Sequence, residues 1–279
     1  MARIFTGGDL HGNQNGEYNK LSKDNFSEQL SLTKEDVYIQ LGDFGFVWYY
    51  PESTESYKRD ISDLNKIADK KFTTLVVPGN HENYDIINNL PIVEKWGGKV
   101  YELVLRKHSI YFAFRGEVYT INGKTIFTFS GAKTSSEANR FTYAQFLSKE
   151  KVRKKKYRYG ELKKVIVEKV KLKEVSIWDQ EVSTEAEKEY ARLQLEKVNY
   201  KVDMVCAHTA PSYVIKELIH ITEDTKQKIE CDTAKFFDEI SNVLEFKEWR
   251  FGHLHNNYSF IDGEELYLCH YNKPPIEYI

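Results

Sequence analysis

Three cysteines in 279 residues are too few and too scattered for a structure built on sulfur. Cys206, Cys231 and Cys269 are odd in number, far apart, and form no Cys-x-x-Cys pair. A disulfide framework and a zinc-thiolate site are therefore both excluded, and the thiols are expected to be reduced and structural. Long apolar runs are missing as well. No stretch reaches the roughly 18 apolar residues of a membrane span, and no basic segment followed by an apolar run and a cleavage site stands near the N-terminus. A cytoplasmic protein without a membrane partner is expected. No internal repeat is visible. With 41% hydrophobic residues the chain can bury a sizeable core, and one domain over residues 1–279 is the reading its length favours.

A large net charge is also absent, but the formal −2 conceals an uneven distribution. Lys149 to Lys173 carries 12 Lys/Arg against 3 Asp/Glu, a local +9, which leaves 28 against 39, or −11, on the rest. Asymmetry of this size marks either a surface for an anionic partner or a solvated charged face. The segment 149–175 reads as a basic arm or hairpin inserted in the domain.

Short β-branched or apolar runs at Ile4 to Thr6, Val37 to Leu41 and Phe72 to Val77 each lead into a glycine-containing turn with a polar residue, as strand ends do. Between the last two, Tyr57, Ile61, Leu64, Ile67 and Ala68 recur at helical spacing and predict a helix over Thr54 to Asp69, with an earlier one around Phe26 to Leu30. From Ser109 to Ser130 the pattern becomes strands, Ile110 to Phe114, Val118 to Ile121 and Thr125 to Phe129, the last two joined by the hairpin signal Asn122-Gly123. This region implies a second sheet. Ser183 followed by Glu187 reads as the cap of a helix over Ala186 to Val198, and Met204 to Ala207 as a buried strand. A helix over Thr233 to Leu244 and strands at Trp249 to Phe251, Tyr258 to Ile261 and Leu266 to Cys269 close the chain.

Asp9 and His11 are two apart in Gly8-Asp9-Leu10-His11-Gly12, so on an extended backbone both side chains project to the same face. Taken alone, that is equally an Asx-type turn beside a surface histidine. Gly42-Asp43 ends the second strand, however, and Gly79-Asn80-His81-Glu82 ends the third. His208 ends the Met204 strand, and Gly252-His253-Leu254-His255 ends the Trp249 strand. Five strand ends carry metal-capable side chains, and in open α/β sheets ligands collect at the carboxyl ends of strands.

As an ordered set, these blocks resemble the signature of the calcineurin-like metallophosphoesterase superfamily: Asp-x-His, Gly-Asp, Gly-Asn-His-Asp/Glu, a lone His, then Gly-His-x-His. All five occur in order between Gly8 and His255. The resemblance implies an α/β fold, a four-layer α/β/β/α sandwich of two mixed sheets flanked by helices. It also implies a dinuclear phosphoesterase in which a metal-bridging hydroxide attacks a phosphomonoester or phosphodiester. Asp9, His11 and His255 would hold one cation, Asn80, His208 and His253 the other, and Asp43 would bridge both. A bridging carboxylate offsets the repulsion of two close cations. His81 would be the general acid at the leaving group, with a structural hydrogen bond as its alternative role. A donor set without thiolate suits two divalent ions, Mn²⁺ first, with Fe, Zn²⁺, Ni²⁺ or Co²⁺ as alternatives.

The substrate is less legible. Asp43 is followed by Phe44-Gly45-Phe46-Val47-Trp48, and Pro78 precedes Gly79, where typical protein Ser/Thr phosphatases carry arginines that clamp phosphate. Trp48, Tyr49 and Tyr50 are either an aromatic wall for a nucleobase or core packing. Asn80, Arg115 and Arg140 are the residues considered for substrate phosphate, with simple salt bridges as the other reading of the arginines. His108, His220 and His270 belong to no block and are expected to be ordinary. A phosphoester is the expected partner, with a nucleotide or nucleic acid among the candidates. The competing classes are a nuclease that uses the basic arm and a non-catalytic scaffold of the same fold. Oligomeric state is left open.

Overall fold

The computed structural model describes residues 2–12, 20–48, 55–134, 143–158, 161–175, 179–219, 223–271 and 274–279. Strands β1 (Ile4–Gly7) and β2 (Val37–Leu41), helix α1 (Glu55–Ala68), β3 (Thr73–Val77) and the short helix α2 (Tyr84–Ile87) open the fold. β4 (Ile92–Lys95), β5 (Gly98–Val104), β6 (Ser109–Ala113), β7 (Val118–Ile121) and β8 (Lys124–Phe129) follow. A long hairpin of β9 (Tyr143–Arg158) and β10 (Glu161–Val175) comes next. Then come α3 (Glu185–Lys197), β11 (Met204–Ala207), α4 (Ser212–Leu218), α5 (Glu223–Ile229) and α6 (Asp232–Ser241). β12 (Glu248–Phe251), β13 (Tyr258–Asp262), β14 (Glu265–Cys269) and β15 (Ile276–Tyr278) close it.

The first sheet has the order β15-β1-β2-β3-β6-β5-β4, and the second β13-β14-β12-β11-β8-β7. Both are mixed. β1, β2, β3 and β6 run parallel, with β15, β5 and β4 antiparallel to their neighbours. In the second sheet β8, β11, β12 and β14 are parallel, and β7 and β13 antiparallel. Because strand side chains alternate between faces, each central strand feeds two cores. Ile4, Val37, Ile39, Leu41, Leu75 and Val77 meet Ile126, Met204 and Cys206 between the sheets. On the far side of the first sheet, Val76, Ile110 and Phe112 pack on Leu64, Ile67 and Ala68 of α1. On the far side of the second, Phe127, Phe129, Val205 and Trp249 pack on Leu195, Val214, Phe236 and Phe237 of α3, α4 and α6. Helix, sheet, sheet and helix form the four layers that the resemblance implied.

Three local expectations are corrected. Ser109–Ala113 belongs to the first sheet, not the second: it pairs with β3 and β5, and the chain crosses between sheets after it, turning at Gly116, whose φ is +84°. The cap of α3 is Thr184, not Ser183, because a capping box closes only at three-residue spacing. Thr184 Oγ1 accepts from the Glu187 N–H at 3.3 Å while Glu187 Oε2 accepts from the Thr184 N–H at 2.7 Å. The helix expected around Phe26 to Leu30 is a single 3₁₀ turn at Ser27–Leu30. All three cysteines are buried and unpaired, as expected. Among the described residues no helix is long and apolar enough to cross a membrane.

Candidate metal centre

The loops after β1, β2, β3, β11 and β12 meet where the carboxyl ends of the parallel strands of both sheets face the same rim. The backbone there is driven into an unusual conformation. Nine non-glycine residues among those described have φ in the left-handed region, and five are Asp9, His11, Asp43, His253 and His255, at +46° to +68°. Such residues cost of order 1–3 kcal/mol each. Their concentration in one place shows that the fold spends stability on aiming these side chains. Glycine is required between them for space. A Cβ at Gly42, itself at φ +78°, would collide with the His208 ring, and one at Gly79 with Asp43 Oδ1.

The donors fall into two adjoining groups. Asp9, His11, Asp43 and His255 each offer a ligand atom, all within 4.8 Å of one another. His11 Nε2 lies 3.0 Å from His255 Nε2 and 3.8 Å from Asp43 Oδ2. On the other side of the same carboxylate, His208 Nε2 lies 3.2 Å from Asp43 Oδ1 and 2.9 Å from Asn80 Oδ1. The His253 ring stands 4.9 Å from that of His208. The His81 ring is 5.7 Å from His11, and its backbone N–H donates to Asp43 Oδ1 at 3.0 Å. Asp43 thus presents one oxygen to each group. All seven residues expected to bind metal, and His81, are brought together.

Burial sets their protonation. His11 is pushed down to about 4 by desolvation, which outweighs the pull of Asp43 and Asp9. His253 is lowered for the same first reason, with Lys228 and His208 adding to it. Both rings are neutral near pH 7 and offer lone pairs. His253 Nε2 is buried without a hydrogen-bond partner, a costly state for a polar atom in the absence of something to coordinate. His208 behaves oppositely: burial opposes its charge, but Asp43, bonded to it, and Asp9 raise it to about 9. Burial likewise opposes the Asp43 charge, yet His208 and His81 hold that carboxyl well below its usual range. A proton on His208 therefore balances Asp43 where a cation would. The donors fit divalent metal: neutral imidazoles, carboxylates and an amide oxygen converge, with one buried nitrogen left over.

A prediction follows from that proton. A cation taking His208 Nε2 must displace it, so below pH about 9 the apparent affinity should rise up to about tenfold per pH unit. Without added metal the stability that the pair contributes should be complete below about 6.5 and lost as pH rises through about 9, since the folded state then holds the extra proton. Calorimetric titration with Mn²⁺ at several pH values, beside melts without metal, checks both. Pairing of His208 with Asp43 is contradicted if both quantities are flat.

A model of the calcineurin-like phosphoesterase family matches residues 2–212, more than half of the chain and four of the five blocks. The chain belongs to that family. No curated protein matches it by sequence. Among solved structures it is similar to a phosphopantetheinyl hydrolase from Mycobacterium tuberculosis, at 14% identity over 97% of this chain and 90% of the other, with a TM-score of 0.46. It is also similar to GAP50, the anchor in the inner membrane complex of Plasmodium, at 9% identity over 96% and 70%, with a TM-score of 0.45.

Within this calcineurin-like chain the candidate ligand loops are held mostly by residues that carry no motif. Lys20, buried, donates to the carbonyls of Gly8 at 2.6 Å and Asp9 at 2.8 Å, and burial lowers its pKa to about 8. Its ammonium also lies 5.0 Å from the Tyr271 ring, which stacks on His255 at 4.9 Å. Glu82 accepts from the N–H groups of Phe44, Gly45 and Gly79, tying the second loop to the third. Asn80 Nδ2 donates to Thr134 Oγ1 at 3.0 Å, and Thr134 donates in turn to Glu181, from Oγ1 at 2.6 Å and from N at 2.7 Å. This chain of bonds fixes which end of the Asn80 amide faces His208. Only Glu82 had a sequence signal, as the last member of its block.

Arg115 is engaged within the body of the fold. It is buried, and its guanidinium donates to Ser130 Oγ at 3.0 Å, Glu187 Oε2 at 2.9 Å and the Gln180 carbonyl at 2.7 Å. These are the bonds that the salt-bridge reading of Arg115 expects, and they occupy donors that a phosphate would otherwise use. Arg115 lies beside a cavity of about 540 Å³ also lined by Tyr84, Tyr101, Phe114 and Tyr190. Arg140, Tyr49, Tyr50 and His220 lie outside the described residues. Trp48 is buried at 3% exposure, which is core packing and not an exposed stacking wall. His270 is buried and His108 exposed.

Proposed function

We propose that this protein hydrolyses a phosphoester at a dinuclear metal centre. One cation would be held by Asp9, His11, His255 and Asp43, the other by Asn80, His208, His253 and Asp43. The observation that carries this reading is the split carboxylate of Asp43, with Oδ2 toward His11 and Oδ1 toward His208. Divalent ions so bound supply Lewis acidity, drawing charge from the phosphoryl oxygens and acidifying water.

The chain's own residues supply the rest. Near pH 7 the rings of His11 and His253 are neutral, the form in which an imidazole ligates a cation. The strained ligand loops, braced by Lys20 and Glu82, hold the donors in place before substrate arrives, so little reorganisation is needed. His81 is the general acid. Its backbone is pinned to Asp43, so its ring is placed by the same residue that joins the two groups. Burial lowers its pKa against the pull of Asp43. An incoming phosphoester anion supplies the further negative charge that favours the imidazolium, and the proton then passes to the departing alkoxide oxygen. Mn²⁺ is the first ion to try.

The test is hydrolysis of p-nitrophenyl phosphate and its bis ester by metallated protein. Turnover should appear with Mn²⁺ and vanish on chelation. A fully metallated sample inert toward both esters and toward nucleotides would make the protein a scaffold of this fold.

A further inference from the structure

The basic hairpin stands apart in both charge and topology. β9 and β10 pair only with each other among the described strands, over almost their whole length, from Tyr143↔Val175 to Arg158↔Glu161. At about 3.3 Å per residue, 16 residues make an arm on the order of 50 Å long. A lone two-stranded ribbon is marginally stable in water, and this one bears the +9 of Lys149 to Lys173, which repels itself. A partner that neutralises those charges removes the repulsion.

The residues that flank the arm are tied to the metal centre. Thr134, before it, and Glu181, after it, are bonded to each other and, through Thr134, to Asn80. Val175 is six residues from Glu181, so the base of the ribbon lies within about 20 Å of that clasp whatever path the chain takes. The remainder of the chain carries −11 and repels polyanions. The arm therefore concentrates the positive charge that a polyanionic substrate would meet, and the clasp that bounds its base is bonded to the candidate ligand Asn80.

We propose that the hairpin is a nucleic-acid-binding arm that delivers a phosphodiester backbone to the Asp43 centre. The choice of nucleic acid over an anionic membrane rests on the phosphoesterase reading above and on shape, since a two-stranded β-ribbon fits the major groove of a duplex and a charged ribbon tracks a single strand.

The experiment measures binding of fluorescein-labelled single-stranded and duplex oligonucleotides and of anionic lipid vesicles by full-length protein across a salt series. The native protein is compared with R153Q/K154Q/K155Q/K156Q and with a chain in which 143–175 is replaced by a Gly-Ser linker. Hydrolysis of bis-p-nitrophenyl phosphate is followed in parallel. Oligonucleotide affinity should fall steeply with salt, and the four-fold variant should lower the log–log slope by about 3, at about 0.7–0.9 per phosphate contact. The linker chain should lose oligonucleotide binding and keep bis-ester turnover. Binding to vesicles alone, salt-independent oligonucleotide binding, or a slope unchanged in the four-fold variant overturns the proposal, as does a concentration-dependent dimer abolished by the deletion with no oligonucleotide bound. If oligonucleotides bind through the arm but no ester is hydrolysed, the arm stands and the hydrolase reading falls.

Discussion

Asp43→Asn should abolish metal-stimulated turnover, lowering kcat/KM for bis-p-nitrophenyl phosphate by at least about 10³-fold, or ~4 kcal/mol of transition-state stabilisation. The amide is nearly isosteric, so the buried position need not collapse. It nevertheless turns an NH₂ toward one of the two groups where the carboxylate offered an oxygen to each. It also removes the negative charge that opposes cation repulsion. A second readout needs no metal: His208 loses the partner that raises it to about 9, so the fall in metal-free stability between about pH 6.5 and 9 should disappear. A variant with both turnover and pH dependence intact would place Asp43 outside the centre.

His81→Ala should divide substrates by leaving group. For alkyl phosphates, which expel a poor leaving group, kcat should fall by about 10²–10⁴-fold, the usual range for a positioned acid. For p-nitrophenyl esters the loss should be under about tenfold, because the leaving phenolate needs little help. Metal content should not change. The pH profile carries the sign: the acid acts protonated, and burial holds His81 below its ordinary value of 6.5 in the substrate-free protein. In native protein kcat/KM for alkyl esters should therefore fall as pH rises through that lowered pKa, and the variant should lack this limb. Equal losses on both substrate types would reduce His81 to a positioning role.

The candidate ligand set was legible because its members other than His208 sit in local signatures, a short apolar strand running into Gly-Asp, Gly-Asn or Gly-His, and His208 ends the apolar run Met204 to Ala207. The structure supplies the physical reason for the glycines, which press against His208 and Asp43. The braces were not legible. Thr134, Glu181 and Lys20 act through a few hydrogen bonds that join separate segments of the chain, and nothing around them differs from ordinary loop sequence. The same distinction holds for the fold. Strands with strong local patterns were placed to within a residue or two, but the sheet that Ser109–Ala113 joins is decided by its partners Leu75 and Val76 and by a crossover at Gly116. β4 and β5 went unread because their edge pairing turns on Trp96-Gly97, with φ of +54° and +83°, and tryptophan is not a residue that announces such a turn. β15 is three residues long and exists by pairing with β1.

In the proposed centre one carboxylate joins two metal groups, and Mn²⁺ reads that junction directly. Electron paramagnetic resonance of protein dialysed to equilibrium against Mn²⁺ should give two ions per chain with an exchange-coupled spectrum, replaced in Asp43→Asn by the hyperfine pattern of isolated ions. One ion per native chain, or two that are magnetically isolated, would contradict it.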